Sequence, residues 1–125
     1  MAEMKPGAVV HVEMTSNDLA ATRRFLETVF GWKFKKEEMG EGMEYWTFQA
    51  PAGPGGGLTD PPEGIPPATL NYLLVESVAS TLEKIRAHGG KVVQDRTEIP
   101  KVGWMAVYEI PGGVHQAIFE PLSQR

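Results

Sequence analysis

Apolar and polar positions alternate along this chain with two different periods. In VVHVEM, Val10, Val12 and Met14 fall on one face of an extended segment and His11 and Glu13 on the other, the period-two pattern of a half-buried strand. The next stretch, NDLAATRRFLETVFGW, changes period: Leu19, Phe25, Leu26, Val29 and Phe30 form an apolar stripe at helical spacing, with Asn17 as the expected cap and Gly31 as the stop. Extended patterns return in WKFKK and MEYWTFQA. The Gly- and Pro-rich segment Ala50 to Ala68 then reads as an irregular connection holding a short fourth strand around Gly57 to Thr59. After it the same order begins again. LNYLLV reads as a strand, and SVASTLEKIRAHGG as a helix capped by Ser77, ended by Gly89 and Gly90, and apolar at Val78, Leu82 and Ile85. KVVQD, WMAVYEI and HQAIFE follow as strands.

Strand, helix and three strands are thus written twice. Sliding the chain on itself by 59 residues places His11 on Leu70, Leu19 on Val78, Thr22 on Thr81, Leu26 on Ile85 and Gly31 on Gly90. A shift of 60 continues the match through Pro51 on Pro111 and Gly53 on Gly113. A period this long means two copies of one supersecondary unit. A βαβββ unit cannot bury both faces alone, so two are expected to pack together. The predicted fold is α+β: one domain, 1–125, of two βαβββ modules (about 8–60 and 69–121) forming a cupped mixed sheet with the helices outside.

Composition narrows the chemistry. The absence of cysteine excludes disulfides, thiolate catalysis and sulfur-ligated metal sites, leaving His, Asp, Glu and backbone as donors. A net charge of −4 disfavours nucleic acid, and the basic cluster Lys33, Lys35 and Lys36, followed at once by Glu37 and Glu38, reads as a solvated strand end. No apolar run approaches the roughly 20 residues that span a bilayer, so no membrane partner is expected. MAEMKPGAVV lacks the basic and apolar regions of a secretion signal, which makes a cytoplasmic protein the expectation. GPGGG is not a phosphate loop, because no Gly-Lys-Ser/Thr and no helix follow it.

The duplication, the opening VVHVEMTSNDLAATRRFLETVFGW, the start of the second half LLVESVASTLEKIRAHGGKVV and the ending EIPGGVHQAIFEP together resemble the vicinal oxygen chelate superfamily. Its members include glyoxalase I, fosfomycin- and bleomycin-resistance proteins and extradiol dioxygenases. The resemblance covers roughly Val9 to Pro121 and implies the glyoxalase-like fold, dimerisation and, in many members, a divalent metal. In metal-using members one ligand comes from the first strand and one from the last strand of each module. By that pattern His11, seven residues before Asp18, fills the first slot. The matching slots fall on Leu70, on Ala117 (four residues after Gly113) and on Gly57, none of which carries a side-chain donor. One imidazole does not hold a divalent ion against water, so the family-type metal is not expected and no cofactor is assigned. A rebuilt two-His, one-carboxylate site from His11, Glu13 and His115 stands as the alternative, and with it a metal-dependent lyase, isomerase or dioxygenase.

Alternation along the strands assigns His11 and Glu13 to the cup, together with Leu70, Tyr72 and Leu74 from the fifth strand and His115, Ala117 and Phe119 from the last. Trp46, Phe48, Trp104 and Tyr108 stand on central strands, where both cup lining and core packing suit large aromatics. The expected site is therefore an apolar pocket for a small organic molecule, with His11 and Glu13 as its polar centre and candidate acid–base pair. Two bland readings stand beside it: a neutral His11 in the cup hydrogen-bonded to Glu13 or to a backbone carbonyl, and a cup that is vestigial in a non-catalytic interaction subunit. His88 reads as a cation at the negative end of the second helix.

Overall fold

The structure, a computed structural model, describes residues 5–38 and 42–122. Met1 to Met4, on which part of the leader reading rests, and the last residues of the expected 1–125 domain lie outside these. The elements follow the order β1 (Val9–Thr15), α1 (Leu19–Phe30), β2 (Lys33–Glu38), β3 (Glu44–Gln49), β4 (Gly56–Thr59), β5 (Thr69–Leu74), α2 (Val78–Ala87), β6 (Lys91–Ile99), β7 (Gly103–Glu109) and β8 (His115–Pro121). Strand, helix and three strands occur twice, with parallel and antiparallel pairs in each set, so the α+β, glyoxalase-like fold is the one observed. No helix among the described residues is long and apolar enough to cross a membrane.

The chain divides into two compact units, one holding His11–Leu70 and the other holding Asn71 onward together with the residues up to Val10. The start of the chain belongs to the second unit because its backbone pairs there: Gly7 N donates to Leu74 O at 2.8 Å, and Leu74 N to Ala8 O at 2.9 Å.

In the first unit β1 runs parallel to β4, and β3 lies antiparallel between β4 and β2. The register puts Met14, Leu58, Trp46 and Lys36 in one row across the strands, and Val12, Gly56, Phe48 and Phe34 in the next. This face lies under α1: the Arg23 guanidinium sits 3.9 Å above the Trp46 ring, and Trp32 stacks on Phe48 at 4.7 Å. Leu58 is wholly buried within it. The opposite face carries Glu13, Gly57, Thr47 and Lys35 in one row and Thr15, Thr59, Tyr45 and Glu37 in another.

Two local details of α1 depart from the pattern read in the sequence. Its cap is Asp18, whose carboxylate accepts from Ala21 N at 3.0 Å, rather than Asn17. Asp18 itself is held by Ser16, whose Oγ accepts from Asp18 N at 2.9 Å and lies 2.6 Å from Thr22 Oγ1. That tether turns the Leu19, Thr22 and Leu26 side inward, and Phe25, Val29 and Phe30 are left 59%, 53% and 55% exposed. The helix ends as expected at Gly31, whose φ of 73° suits a residue without a Cβ.

In the second unit β5 runs parallel to β8, and β7 lies antiparallel between β8 and β6. Val78 and Leu82 of α2 pack on Ala106, Tyr108 and Ile118, with Leu73 and Trp104 against them. The Tyr108 hydroxyl donates to Gln116 Oε1 at 3.1 Å, and burial raises its pKa above the ordinary 10.0. His88 forms the C-cap of α2, its Nδ1 lying 2.9 Å from Lys84 O. β6 is longer than KVVQD suggests, reaching Ile99 through two register shifts against β7.

Candidate active site

His11 and Glu13 stand two residues apart on β1, and the pleat turns both side chains to the face away from α1. There His11 Nε2 lies 2.7 Å from Glu13 Oε1. With the carboxylate as acceptor, Nε2 carries the hydrogen of this bond. Tyr45 of β3 adds a second donor, its hydroxyl reaching the same Oε1 at 3.0 Å. Glu13 Oε2 takes no hydrogen bond from the described residues. The side chains of His11 and Glu13 are 36% and 19% exposed, which leaves the group reachable from solvent.

Gly57 explains how a tyrosine two strands away reaches this carboxylate. It lies between Glu13 on β1 and Thr47 on β3 in the same row, and a Cβ built there would collide with the Tyr45 phenol. Tyr45 therefore occupies the space above the strand in which a side chain at position 57 would project. The resemblance assigned a metal-ligand slot to this position; a phenol bonded to Glu13 fills it instead. Tyr45 escaped the sequence reading, although a glycine inside a strand is a signal that another group approaches closely.

The other candidates distribute over both faces. Tyr72 pairs with Ala117 and Leu74 with Phe119, on the face turned away from α2, where Val107 and Met105 also stand. Ala117 is wholly buried there. Leu70 lies at the start of β5 and is partly buried. Trp46 and Trp104 sit on the helix-packed faces of their units, Trp46 under Arg23 and Trp104 in the cluster around α2, with Arg96 3.6 Å from its ring centre. Phe48 and Tyr108 likewise pack on those faces. Of the four aromatics from central strands, Phe48 and Tyr108 are buried core, and Trp46 and Trp104 are partly buried on the same faces.

His115 is paired in its own strand neighbourhood, with Nε2 3.3 Å from Glu109 Oε1. Among the described residues no three His, Cys, Asp or Glu side chains form a group able to hold a metal ion. The family-type donor set does not fit either, since Leu70, Ala117 and Gly57 offer no side-chain donor.

A separate depression of about 350 Å³ lies where β1 runs into α1, bordered by Met14, Ser16, Thr22, Leu58 and Pro67. Its hydroxyls are engaged locally, Ser16 with Thr22 and Thr15 with the backbone of Ala68. The convergent polar groups are those around Glu13, on the opposite face.

The family model described as Glyoxalase/Bleomycin resistance protein/Dioxygenase superfamily matches residues 8–115. A Mycobacterium bovis protein named "Putative glyoxylase CFP32" is 28% identical over 120 residues, which are 95% of this chain and 46% of that protein. The Mycobacterium tuberculosis protein of the same name matches to the same extent, so the chain spans about half the length of the curated relatives it matches. Methylmalonyl-CoA epimerase from Mycobacterium tuberculosis shares the fold with a TM-score of 0.72 at 16% identity, covering 99% of this chain and 94% of that one. The Bacillus halodurans protein BH1468 does so with a TM-score of 0.74 at 14% identity, over 97% and 99% of the two chains. At these identities the likeness establishes the fold alone.

Proposed function

Because this chain belongs to the Glyoxalase/Bleomycin resistance protein/Dioxygenase superfamily, whose one fold serves unrelated chemistries, we propose its function from the group around Glu13. It binds a small organic molecule on the open face of the first unit and moves a proton at a carbon beside a carbonyl, with Glu13 as the base and no family-type metal.

The observation that carries this reading is the asymmetry of the carboxylate. Oε1 is held by His11 and Tyr45, while Oε2 has no such partner among the described residues. A base needs to be both fixed in place and open on the reacting side. The C–H proton passes to Oε2, and its bonding pair moves into a carbon–carbon double bond as the carbonyl oxygen takes up negative charge. Return of the proton to the same carbon gives exchange or inversion; return to a neighbouring atom gives isomerisation. His11 and Tyr45 orient Glu13 through their hydrogen bonds. The name methylmalonyl-CoA epimerase, carried by a structural neighbour, denotes an inversion of this general kind and supports the reading.

Proton NMR in D2O tests it, following loss of the α-proton signal from simple acyl thioesters and α-hydroxy carbonyl compounds. Exchange that survives chelator and disappears in Glu13→Gln is the expected result. A requirement for added divalent metal, or exchange unchanged in Glu13→Gln, overturns it. Binding without exchange for every compound leaves sequestration as the activity of the same face.

A further inference from the structure

The two units of the duplication serve as controls for each other on their open faces. In the first unit Glu13, Gly57, Thr47 and Lys35 stand in one row, from β1 across β4 and β3 to β2. In the second unit the corresponding row is Tyr72, Ala117, Val107 and Gln94. At the shift of 59 residues Glu13 corresponds to Tyr72 and Lys35 to Gln94, so the two ends of the row change together: a carboxylate and an ammonium in one unit, two neutral groups in the other. Gln94 is engaged within its own face, its Nε2 donating to Thr97 Oγ1 at 3.2 Å and lying 3.4 Å from Met105 Sδ. Lys35 is exposed and has no ion pair among the described residues. Glu37, two residues along on the same face, accepts from Thr47 Oγ1 at 2.8 Å instead of pairing with it. The row that holds Glu13 therefore ends in an uncommitted cation.

We propose that Lys35 determines specificity by receiving an anionic group of the substrate whose proton Glu13 takes, an inference that rests on the reading of Glu13 as the base. Two strands separate β1 from β2, so the Cα atoms of Glu13 and Lys35 stand about 14 Å apart at the usual strand spacing. Between them Gly57 has no side chain, and the Tyr45 phenol and Thr47 form the floor. A ligand in contact with both ends carries its anion several bonds from the acidic carbon. A 2-oxo acid, with its carboxylate directly on the carbonyl, is too short. The class that fits is a carbonyl compound with a remote carboxylate or phosphate. Neither neighbouring lysine takes this place: Lys36 shares a row with Trp46 on the face under α1, and Lys33, on the open face, lies opposite Gln49 in a row without Glu13. The net charge of −4 opposes anions in general, so a preference for one marks a local cation.

Isothermal titration calorimetry at low ionic strength with levulinate, methyl levulinate and hydroxyacetone phosphate tests this without any turnover. The wild type binds at least one of the two anions about fivefold more tightly than the neutral ester, the upper range for an exposed ion pair. The tighter of the two tells carboxylate from phosphate. Lys35→Gln abolishes the preference and leaves the affinity for the ester unchanged, Lys35→Arg retains it, and Lys36→Gln binds all three compounds as the wild type does. Equal affinity for anions and ester, failure of all three to bind, or a preference that survives Lys35→Gln overturns the proposal. Proton exchange followed in parallel separates it from the reading of Glu13. An anion preference lost in Lys35→Gln, with no exchange in any compound, keeps the anion site and refutes the base; exchange of the ester with no anion preference keeps the base and refutes the site.

Discussion

The hydroxyl of Tyr45 on β3 donates to Oε1 of Glu13 on β1 at 3.0 Å, reaching over β4 at Gly57, where that strand offers no side chain on this face. A glycine, a tyrosine and a carboxylate on three adjacent strands therefore form a single device. Removing the space at Gly57, the donor at Tyr45 or the carboxylate at Glu13 disturbs it in distinguishable ways.

Gly57→Ala places a methyl group into the Tyr45 phenol, and the overpacking costs about 1–3 kcal/mol of stability. Urea denaturation of Gly57→Ala, Tyr45→Ala and the double variant measures the coupling. In the Tyr45→Ala background the alanine at position 57 is tolerated at much lower cost. Equal penalties in both backgrounds would show that the phenol does not occupy that space.

Glu13→Gln keeps the size of the side chain and removes the base of the proposed reaction, so under that proposal proton exchange falls by about 10²–10⁴-fold while ligand binding changes little. Tyr45→Phe removes only the donor to Oε1. It lowers the exchange rate less than Glu13→Gln does, through a less firmly placed carboxylate. Comparing kcat with KM in the exchange assay separates the two roles.

Much of this molecule is legible in its sequence, and the omissions have physical causes. Element order, the duplication and the common face of His11 and Glu13 follow from period two and period 3.6 alone. Tyr45 depends on strand register, which periodicity within one strand does not contain. The exposed Phe25, Val29 and Phe30 satisfy helical spacing as well as a core stripe does; the bond between Ser16 and Thr22 helps choose the inward side. Trp46 and Trp104 sit one residue out of phase with the open faces, and both lie instead where the helices pack.

Leu58 sits fully buried on β4, one residue beyond Gly57 and on the opposite face. Leu58→Ala is expected to cost about 2–5 kcal/mol by urea denaturation, since the site is enclosed and collapses only in part. A loss below about 1 kcal/mol would show that α1 closes down over the gap.

Tyr108 links stability to alkaline pH. Burial raises its pKa above 10.0, so folding favours the protonated phenol. Its stabilising share is complete below the unfolded value of 10.0 and is lost as pH rises from there through the folded value. Urea midpoints followed through this range should fall more steeply for the wild type than for Tyr108→Phe, which has no proton to lose. Tyr108→Phe also loses the bond to Gln116, a cost of about 0.5–1.5 kcal/mol at neutral pH.

The collision between Tyr45 and any side chain at position 57 also constrains how the chain can change over generations. An acidic residue at position 57 cannot be accepted while the phenol remains, and loss of the phenol first unties Glu13. Each single step is penalised, and only the pair together opens the position, which is sign-dependent coupling between two sites. The arrangement works as a ratchet: one substitution at Gly57 does not place a new side chain there while the Tyr45 phenol keeps its position.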